Sequence, residues 1–176
     1  MATNKVGYFE KRQAITERNT DYSINPQFPH NALVELTNGC NHKCIFCKSS
    51  NQGRKTTYLK KQTFEKFIKE ASALGLNEVG LYATGEPFMT KNLEEYISIA
   101  KKHNVGRVYI TTNGALADLK KVVKCVEAGL DSIKFSINAS NKNDYFDIHG
   151  HDDFATVLKN VSEIYHWKKS NNQNLQ

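Results

Sequence analysis

Three cysteines, Cys40, Cys44 and Cys47, fall within eight consecutive residues. A loop this short brings three thiolates close enough to bind one iron–sulfur cubane, and three ligands leave the fourth iron of a [4Fe–4S] cluster without a protein ligand. An electron-transfer cluster normally has four cysteines, whereas an open iron lets a small molecule bind the metal directly. The spacing therefore predicts a reactive cluster with the three cysteines as catalytic ligands.

Zinc is the competing interpretation of this loop, with His30 or His42 as a fourth ligand in a closed tetrahedral site. Zinc sites usually pair their ligands as two separated knuckles, and the sequence offers no second pair. We therefore favour the cluster and expect His42 to face solvent or the cluster edge. Cys125 lies apart, in an amphipathic helical pattern, and is expected to be a small buried hydrophobe.

Composition favours one globular core, since 39% of the 176 residues are hydrophobic and only three are proline. The sequence shows no apolar stretch of membrane-spanning length and no signal-peptide pattern in its first thirty residues, which predicts a cytoplasmic protein. That compartment is reducing and favours metal ligands over disulfides. The formal charge of +6 comes from separated lysine pairs beside helical patterns, so nucleic-acid binding is not expected.

Short apolar runs alternate with amphipathic helical patterns along the chain. Strands are predicted at residues 32–37, 78–83, 107–112 and 132–138, and helices at 64–74, 93–100, 116–126 and 154–164. Strands joined by crossover helices form a parallel sheet, so we predict an α/β fold that curls into a partial (β/α) barrel. The core is assigned to residues 31–170, with 1–30 as a polar extension and 171–176 as a polar tail.

Polar and glycine-rich residues follow each predicted strand. Thr84, Gly85, Glu86 and Pro87 follow the second, Thr112, Asn113 and Gly114 the third, and Ser136 and Asn138 close the fourth. Each group alone is an ordinary turn sequence. In parallel β/α folds, however, these positions share one edge of the sheet, where ligands bind, and the cysteine loop lies there as well.

The cysteine spacing, with Phe46 before the last cysteine, resembles the signature of the radical S-adenosylmethionine (SAM) superfamily. The resemblance extends to the segments at residues 85–87, 111–114, 136–138 and 145–150. It implies a [4Fe–4S] cluster whose open iron binds the amino and carboxylate groups of SAM. By resemblance, the turn of Thr84, Gly85, Glu86 and Pro87 binds the SAM amino group, Phe46 lies near the adenine, Ser136 and Asn138 hold the ribose, and Asn113 lines the cavity.

The resemblance also implies the reaction and the partners. A flavodoxin-like or ferredoxin-like protein would supply one electron, SAM would be cleaved to a 5′-deoxyadenosyl radical, and the radical would abstract hydrogen from an unknown small-molecule or peptide substrate. The enzyme would be of the oxidoreductase or transferase type. The family core has six strand–helix units and only four are recognised here, so we expect a fragment, a truncated paralogue, or a homo-oligomer that covers the fourth strand's bare edge. A truncated, non-catalytic scaffold that binds cluster and SAM is the alternative.

Four residues near the last helix, His149, His151, Asp152 and Asp153, have types that bind metals. We interpret them as residues of a loop entering a helix, because aspartate is favoured at helix caps and in the first turn. A second metal site is therefore not predicted.

Overall fold

A computed structural model describes residues 27–48 and 53–176, so residues 1–26 of the predicted extension lie outside the described part. Within these residues, four strands form one sheet in the order β1-β2-β3-β4, and every neighbouring pair is parallel. The strands are β1 (Asn31–Leu33), β2 (Glu78–Gly80), β3 (Arg107–Thr112) and β4 (Ser132–Phe135). The predicted α/β fold is confirmed, and the sheet is an open, partial barrel.

Five α-helices accompany this sheet in the described part. They are α1 (Lys61–Ala73), α2 (Leu93–Lys102), α3 (Leu119–Glu127), α4 (Lys142–His149) and α5 (Phe154–Ser170). Helices α1, α2 and α3 each contribute a fully buried residue, Ile68, Ile97 and Val122, to the hydrophobic cluster that also contains residues of the strands. None of these described helices combines the length and apolar character needed to cross a membrane.

The first, second and fourth strands are shorter than predicted, whereas β3 has the predicted bounds. Pairing of β1 with β2 covers only three residues on each strand. The apolar runs continue beyond the strands because the loop residues Leu36 and Leu81 are themselves buried in the core. The apolar pattern therefore indicated which residues are buried, but it overestimated the length of β1 and β2.

Helix α4 was not predicted, since the sequence around residues 142–149 has a weak apolar pattern. Its start is stabilised by Asn141, whose side-chain oxygen accepts a hydrogen bond of 3.0 Å from the Asp144 amide. It ends at Gly150, which adopts a left-handed φ of 64°. The prediction that His149 belongs to a loop was therefore wrong, because His149 occupies the last turn of α4.

The predicted polar tail contributes to the core. Leu175 is 4% exposed and belongs to the hydrophobic cluster. Gln176 donates its amide to the Asp131 carbonyl at 3.0 Å and accepts from the Ile133 amide at 2.8 Å, the pattern of a parallel strand beside β4. The expectation of a bare edge on β4 therefore fails at the beginning of this strand, where Gln176 pairs with it.

Candidate cluster and cofactor site

The predicted site groups meet at the carboxyl edge of the sheet. The amide of Glu86 donates to the Gly39 carbonyl at 2.8 Å, which joins the turn after β2 to the segment before the first cysteine. Asn113, after β3, donates from Nδ2 to Oδ1 of Asn41 at 2.8 Å. Ser136, after β4, donates its amide to the Thr112 carbonyl at 2.8 Å. The parallel order of the strands brings these four groups together.

Backbone hydrogen bonds hold the cysteine loop on helix α4. Lys43 donates its amide to the His149 carbonyl, and Ile45 donates to the Ile148 carbonyl, each at 3.0 Å. The last carbonyls of an α-helix have no partner within the helix, so the loop satisfies two of them. Within the loop, Cys47 donates its amide to the Cys44 carbonyl at 3.0 Å. The loop is thus fixed by a helix about 100 residues further along the chain.

The three loop cysteines form no disulfide and are half-buried. Burial raises the pKa of the Cys40 and Cys44 thiols, and the nearby Glu86 carboxylate adds to this effect at Cys40. Around the sulfur of Cys40 lie two N–H groups, the His42 amide at 3.5 Å and Nδ2 of Asn113 at 3.8 Å. Hydrogen bonds to cysteine sulfur are one of the means by which proteins set the potential of a bound cluster.

Gly85 lies against the backbone that leads into the cysteine loop. A Cβ atom at this position would be 1.9 Å from the carbonyl oxygen of Thr37 and 2.8 Å from that of Gly39. Backbone at such a distance cannot move aside without breaking its own hydrogen bonds. The turn after β2 therefore requires glycine for this close approach.

The carboxylate of Glu86 is 2% exposed and is bound inside the protein. Its Oε1 accepts from the Phe88 amide at 3.0 Å and the Thr112 hydroxyl at 2.7 Å, and its Oε2 accepts from the Asn113 amide at 2.9 Å. Burial raises the pKa of Glu86, and the three donors oppose that effect. Glu86 thus fastens the turn after β2 to the end of β3, which leaves Thr84 and Gly85 as the accessible part of this turn.

The remaining predicted residues surround this network. Asn113 is 8% exposed, and Pro87 is buried at the start of a short 3-10 helix, Pro87–Met89. Phe46 is 66% exposed. Ser136 is half-buried, while Asn138 is exposed and has a left-handed φ of 53°. Thr84 is exposed and bonds the Glu35 carboxylate through its amide, at 3.0 Å, and its hydroxyl.

His42 does not face solvent, since it is 2% exposed. Its Nε2 lies 3.2 Å from Oδ2 of Asp153, and its ring stacks on His151 with centroids 5.7 Å apart. Burial lowers the pKa of His42, which the Asp153 contact opposes. His30 precedes β1, and its carbonyl bonds the amides that begin β2, so it lies at the opposite edge of the sheet and is excluded as a ligand beside the cysteines.

The sequence did not predict that the histidines pack together behind the cysteine loop. One nitrogen of His42, one of His149 and the sulfur of Cys44 lie within 4.8 Å of one another, and the same limit holds for His42, His151 and Asp153. The Asp153 carboxylate accepts contacts from both His42 and His151 and does not cap α5 with its side chain. The only signal in the sequence was the richness in histidine around residue 150.

The donor set fits an iron–sulfur cluster. Three cysteines that form no disulfide share one anchored loop, N–H groups already lie beside one sulfur, and the edge also carries an exposed aromatic ring and half-buried polar groups. Cysteine thiolates are the common ligands of such clusters, and metal binding to raised-pKa thiols releases their protons. A zinc site built on His42 and His149 would also need the sulfur of Cys44 as a ligand. The Cys44 sulfur therefore binds either the iron–sulfur cluster or such a zinc ion, but not both.

Comparison with known proteins agrees with this chemistry. The Radical SAM superfamily model matches residues 34–166. The GTP 3′,8-cyclase of Chlorobaculum tepidum is 28% identical over 132 residues, and a probable GTP 3′,8-cyclase of Saccharolobus solfataricus is 33% identical over 129. These alignments cover 74% and 73% of this chain but 39% and 41% of the relatives, so the chain spans about two fifths of their length.

The fold has solved counterparts. A crystal structure of Streptococcus suis SuiB bound to S-adenosylmethionine superposes with a TM-score of 0.65 and 15% identity, covering 99% of this chain and 38% of that one. The chain belongs to the radical SAM superfamily. Members of this family use a [4Fe–4S] cluster and S-adenosylmethionine, and they are SAM-cleaving radical enzymes.

Proposed function

We propose that residues 31–170 form the cofactor-binding core of a radical SAM enzyme, with Cys40, Cys44 and Cys47 as the cluster ligands. The observation that carries this assignment is the anchoring of three cysteines without a disulfide in one loop, which is held by α4 on one side and by the Gly85 turn on the other. When bound, the cluster and SAM together supply one-electron reductive cleavage of the sulfonium and a carbon radical that can abstract hydrogen.

The chain's own residues are proposed to bind SAM and to orient it. The accessible turn of Thr84 and Gly85 is proposed to take the SAM amino group, while the buried Glu86 and Pro87 hold that turn in place. Phe46 offers its exposed ring to the adenine, and Ser136 and Asn138 offer polar groups to the ribose. Asn113, fixed by Asn41, lines the cavity beside Cys40. Orienting the reacting groups in this way is the protein's contribution to the rate.

The electron donor and the substrate are proposed from the family and from the relatives that the chain matches. Radical SAM enzymes generally need an external reductant, so a flavodoxin-like or ferredoxin-like protein in the cytoplasm would supply the electron. The relatives are named GTP 3′,8-cyclases, so GTP is the first substrate to test. The formal charge of +6 suits an anionic substrate.

The test is anaerobic reconstitution with iron and sulfide, followed by dithionite and SAM, with 5′-deoxyadenosine measured by chromatography in the presence and absence of GTP. Formation of 5′-deoxyadenosine by the wild type and by a Cys125→Ala control, and its loss in Cys44→Ala, would support the proposal. A cluster without SAM cleavage would favour the scaffold alternative. A colourless protein that contains zinc would contradict both.

A further inference from the structure

The ring of His149 lies between the cysteine loop and the end of β4. His149 is 1% exposed, and both ring nitrogens contact other groups. Its Nε2 is 2.6 Å from the carbonyl oxygen of Ile137, and its Nδ1 is 3.4 Å from Sγ of Cys44. The ring therefore bridges the residue after Ser136 and the middle cysteine.

These contacts fix the orientation of the ring. A carbonyl oxygen only accepts, so Nε2 must carry the hydrogen that is donated to Ile137. The other ring nitrogen, Nδ1, faces the Cys44 sulfur at 3.4 Å. Tyr145 stacks on the same ring, with centroids 4.2 Å apart and planes 18° from parallel. The ring cannot turn without losing all three contacts.

The backbone around Cys44 is held by the same end of α4. Its two neighbours in sequence, Lys43 and Ile45, donate their amides to the carbonyls of His149 and Ile148. Cys44 is thus fixed at its backbone on both sides and at its sulfur. The Cys40 sulfur, by contrast, is contacted by the His42 amide and the Asn113 amide group.

We propose that His149 is a positioning residue that fixes the Cys44 sulfur and so shapes the environment of the iron bound to Cys44. This inference rests on the function proposed above. Residues that orient metal ligands contribute about 10-fold to 100-fold to metal affinity, and they also affect the electronic properties of the metal. Loss of the His149 contact is therefore expected to alter the spectrum of the cluster and to speed its loss.

Two substitutions test the His149 contact with Ile137 and its contact with Cys44 separately. The longer side chain in His149→Gln can place an amide near the Ile137 carbonyl, in the position of Nε2, and leaves Cys44 without its partner. The shorter side chain in His149→Asn places an amide where Nδ1 lies, near Cys44, and loses Ile137. His166→Gln is the matched control, because His166 is exposed on α5 and bonds the carbonyl of Ser162 in its own helix.

The readouts are the electron paramagnetic resonance spectrum of the reduced cluster without SAM, its midpoint potential, and the rate of iron release to a chelator. We expect His149→Gln to change the g values, shift the potential and release iron roughly tenfold faster. We expect His149→Asn to stay closer to the wild type, and His166→Gln to match it. Spectra, potentials and release rates equal to the wild type in His149→Gln would overturn the inference and leave the proposed function intact.

If the variants do not fold, a measurement on the wild-type protein tests the role of His149. Protein labelled with ¹⁵N in the histidine rings is reconstituted, reduced and studied by pulsed electron paramagnetic resonance. A ring nitrogen 3.4 Å from a cluster sulfur is expected to give a resolved ¹⁵N coupling. A cluster without this coupling would refute the role of His149 alone, whereas a chain that takes up no iron would refute the inference together with the proposed function.

Discussion

Gly85 lies so close to Thr37 that a Cβ atom on the glycine would fall 1.9 Å from the threonine carbonyl oxygen. These residues belong to the turn after β2 and to the segment that enters the cysteine loop. The amide of Glu86 also donates to the Gly39 carbonyl at 2.8 Å. The two segments proposed to hold SAM and the cluster are therefore packed as one unit, and the geometry of one depends on the other.

Gly85→Ala should separate these segments. Overpacking against backbone should lower the free energy of unfolding by roughly 2–3 kcal/mol, and the reconstituted protein should hold less iron. Gly106→Ala is the control, because its Cβ would meet only the side chain of Asn77, at 2.5 Å, which can move away. Equal urea midpoints and iron contents for the two variants would show that the Gly85 contact is not needed.

Glu86→Gln should leave a buried donor without an acceptor. The carboxylate accepts from two amides and one hydroxyl, whereas the NH₂ group of glutamine accepts nothing. We expect a loss of roughly 1–3 kcal/mol in unfolding free energy, measured by urea denaturation. Glu127→Gln, on the exposed side of α3, should change stability by less than about 0.5 kcal/mol. A Glu86→Gln protein as stable as this control would refute the fastening role of Glu86.

Cys125 should resist alkylation in the native chain. It is 1% exposed, and burial raises the pKa of its thiol to about 12, so almost no thiolate exists at pH 8. Mass spectrometry after brief treatment of the cluster-free protein with iodoacetamide should show modification of the three loop cysteines, and of Cys125 only after unfolding. The Cys125→Ala variant should lose only the slow modification. Rapid native labelling of Cys125 would contradict its burial.

Leu175 should contribute to stability although it lies in a polar segment. Because it is 4% exposed in the hydrophobic cluster, Leu175→Ala should cost roughly 2 kcal/mol. Leu158→Ala is the matched control, since Leu158 on α5 is 46% exposed and its loss should cost under about 0.5 kcal/mol. Thermal or urea unfolding of both variants gives the comparison, and equal midpoints would mean that the 171–176 segment does not pack on the core.

Periodicity in the sequence was sufficient for the sheet and four of the helices. β3 was predicted with its observed bounds because its residues alternate between half-buried and buried positions along the strand. The predicted β1 and β2 were too long because Leu36 and Leu81 lie in loops, where their apolar side chains are buried in the core. α4 was missed although Asn141 and Gly150 are cap residues, because charged residues interrupt its apolar face.

The site was predictable where residues are close in sequence, and not where distant segments meet. The spacing of Cys40, Cys44 and Cys47 predicts a shared metal centre, which stays a prediction, and the structure holds the three residues in one loop. The burial of His42 and the bridge from His149 to Cys44 depend on the docking of the loop against α4. No local pattern in the sequence indicates that docking, and so His42 was expected to face solvent or the cluster edge.

We propose that the three loop thiols together hold one iron–sulfur cluster. Iron and acid-labile sulfide analysis of anaerobically reconstituted protein compares the wild type, Cys125→Ala and the combined Cys40→Ala, Cys44→Ala, Cys47→Ala variant. We predict about four irons and four sulfides per chain in the first two proteins and almost none in the third. Iron and sulfide absent from the wild type, or retained by the variant without loop cysteines, would refute a cluster held by these three thiols.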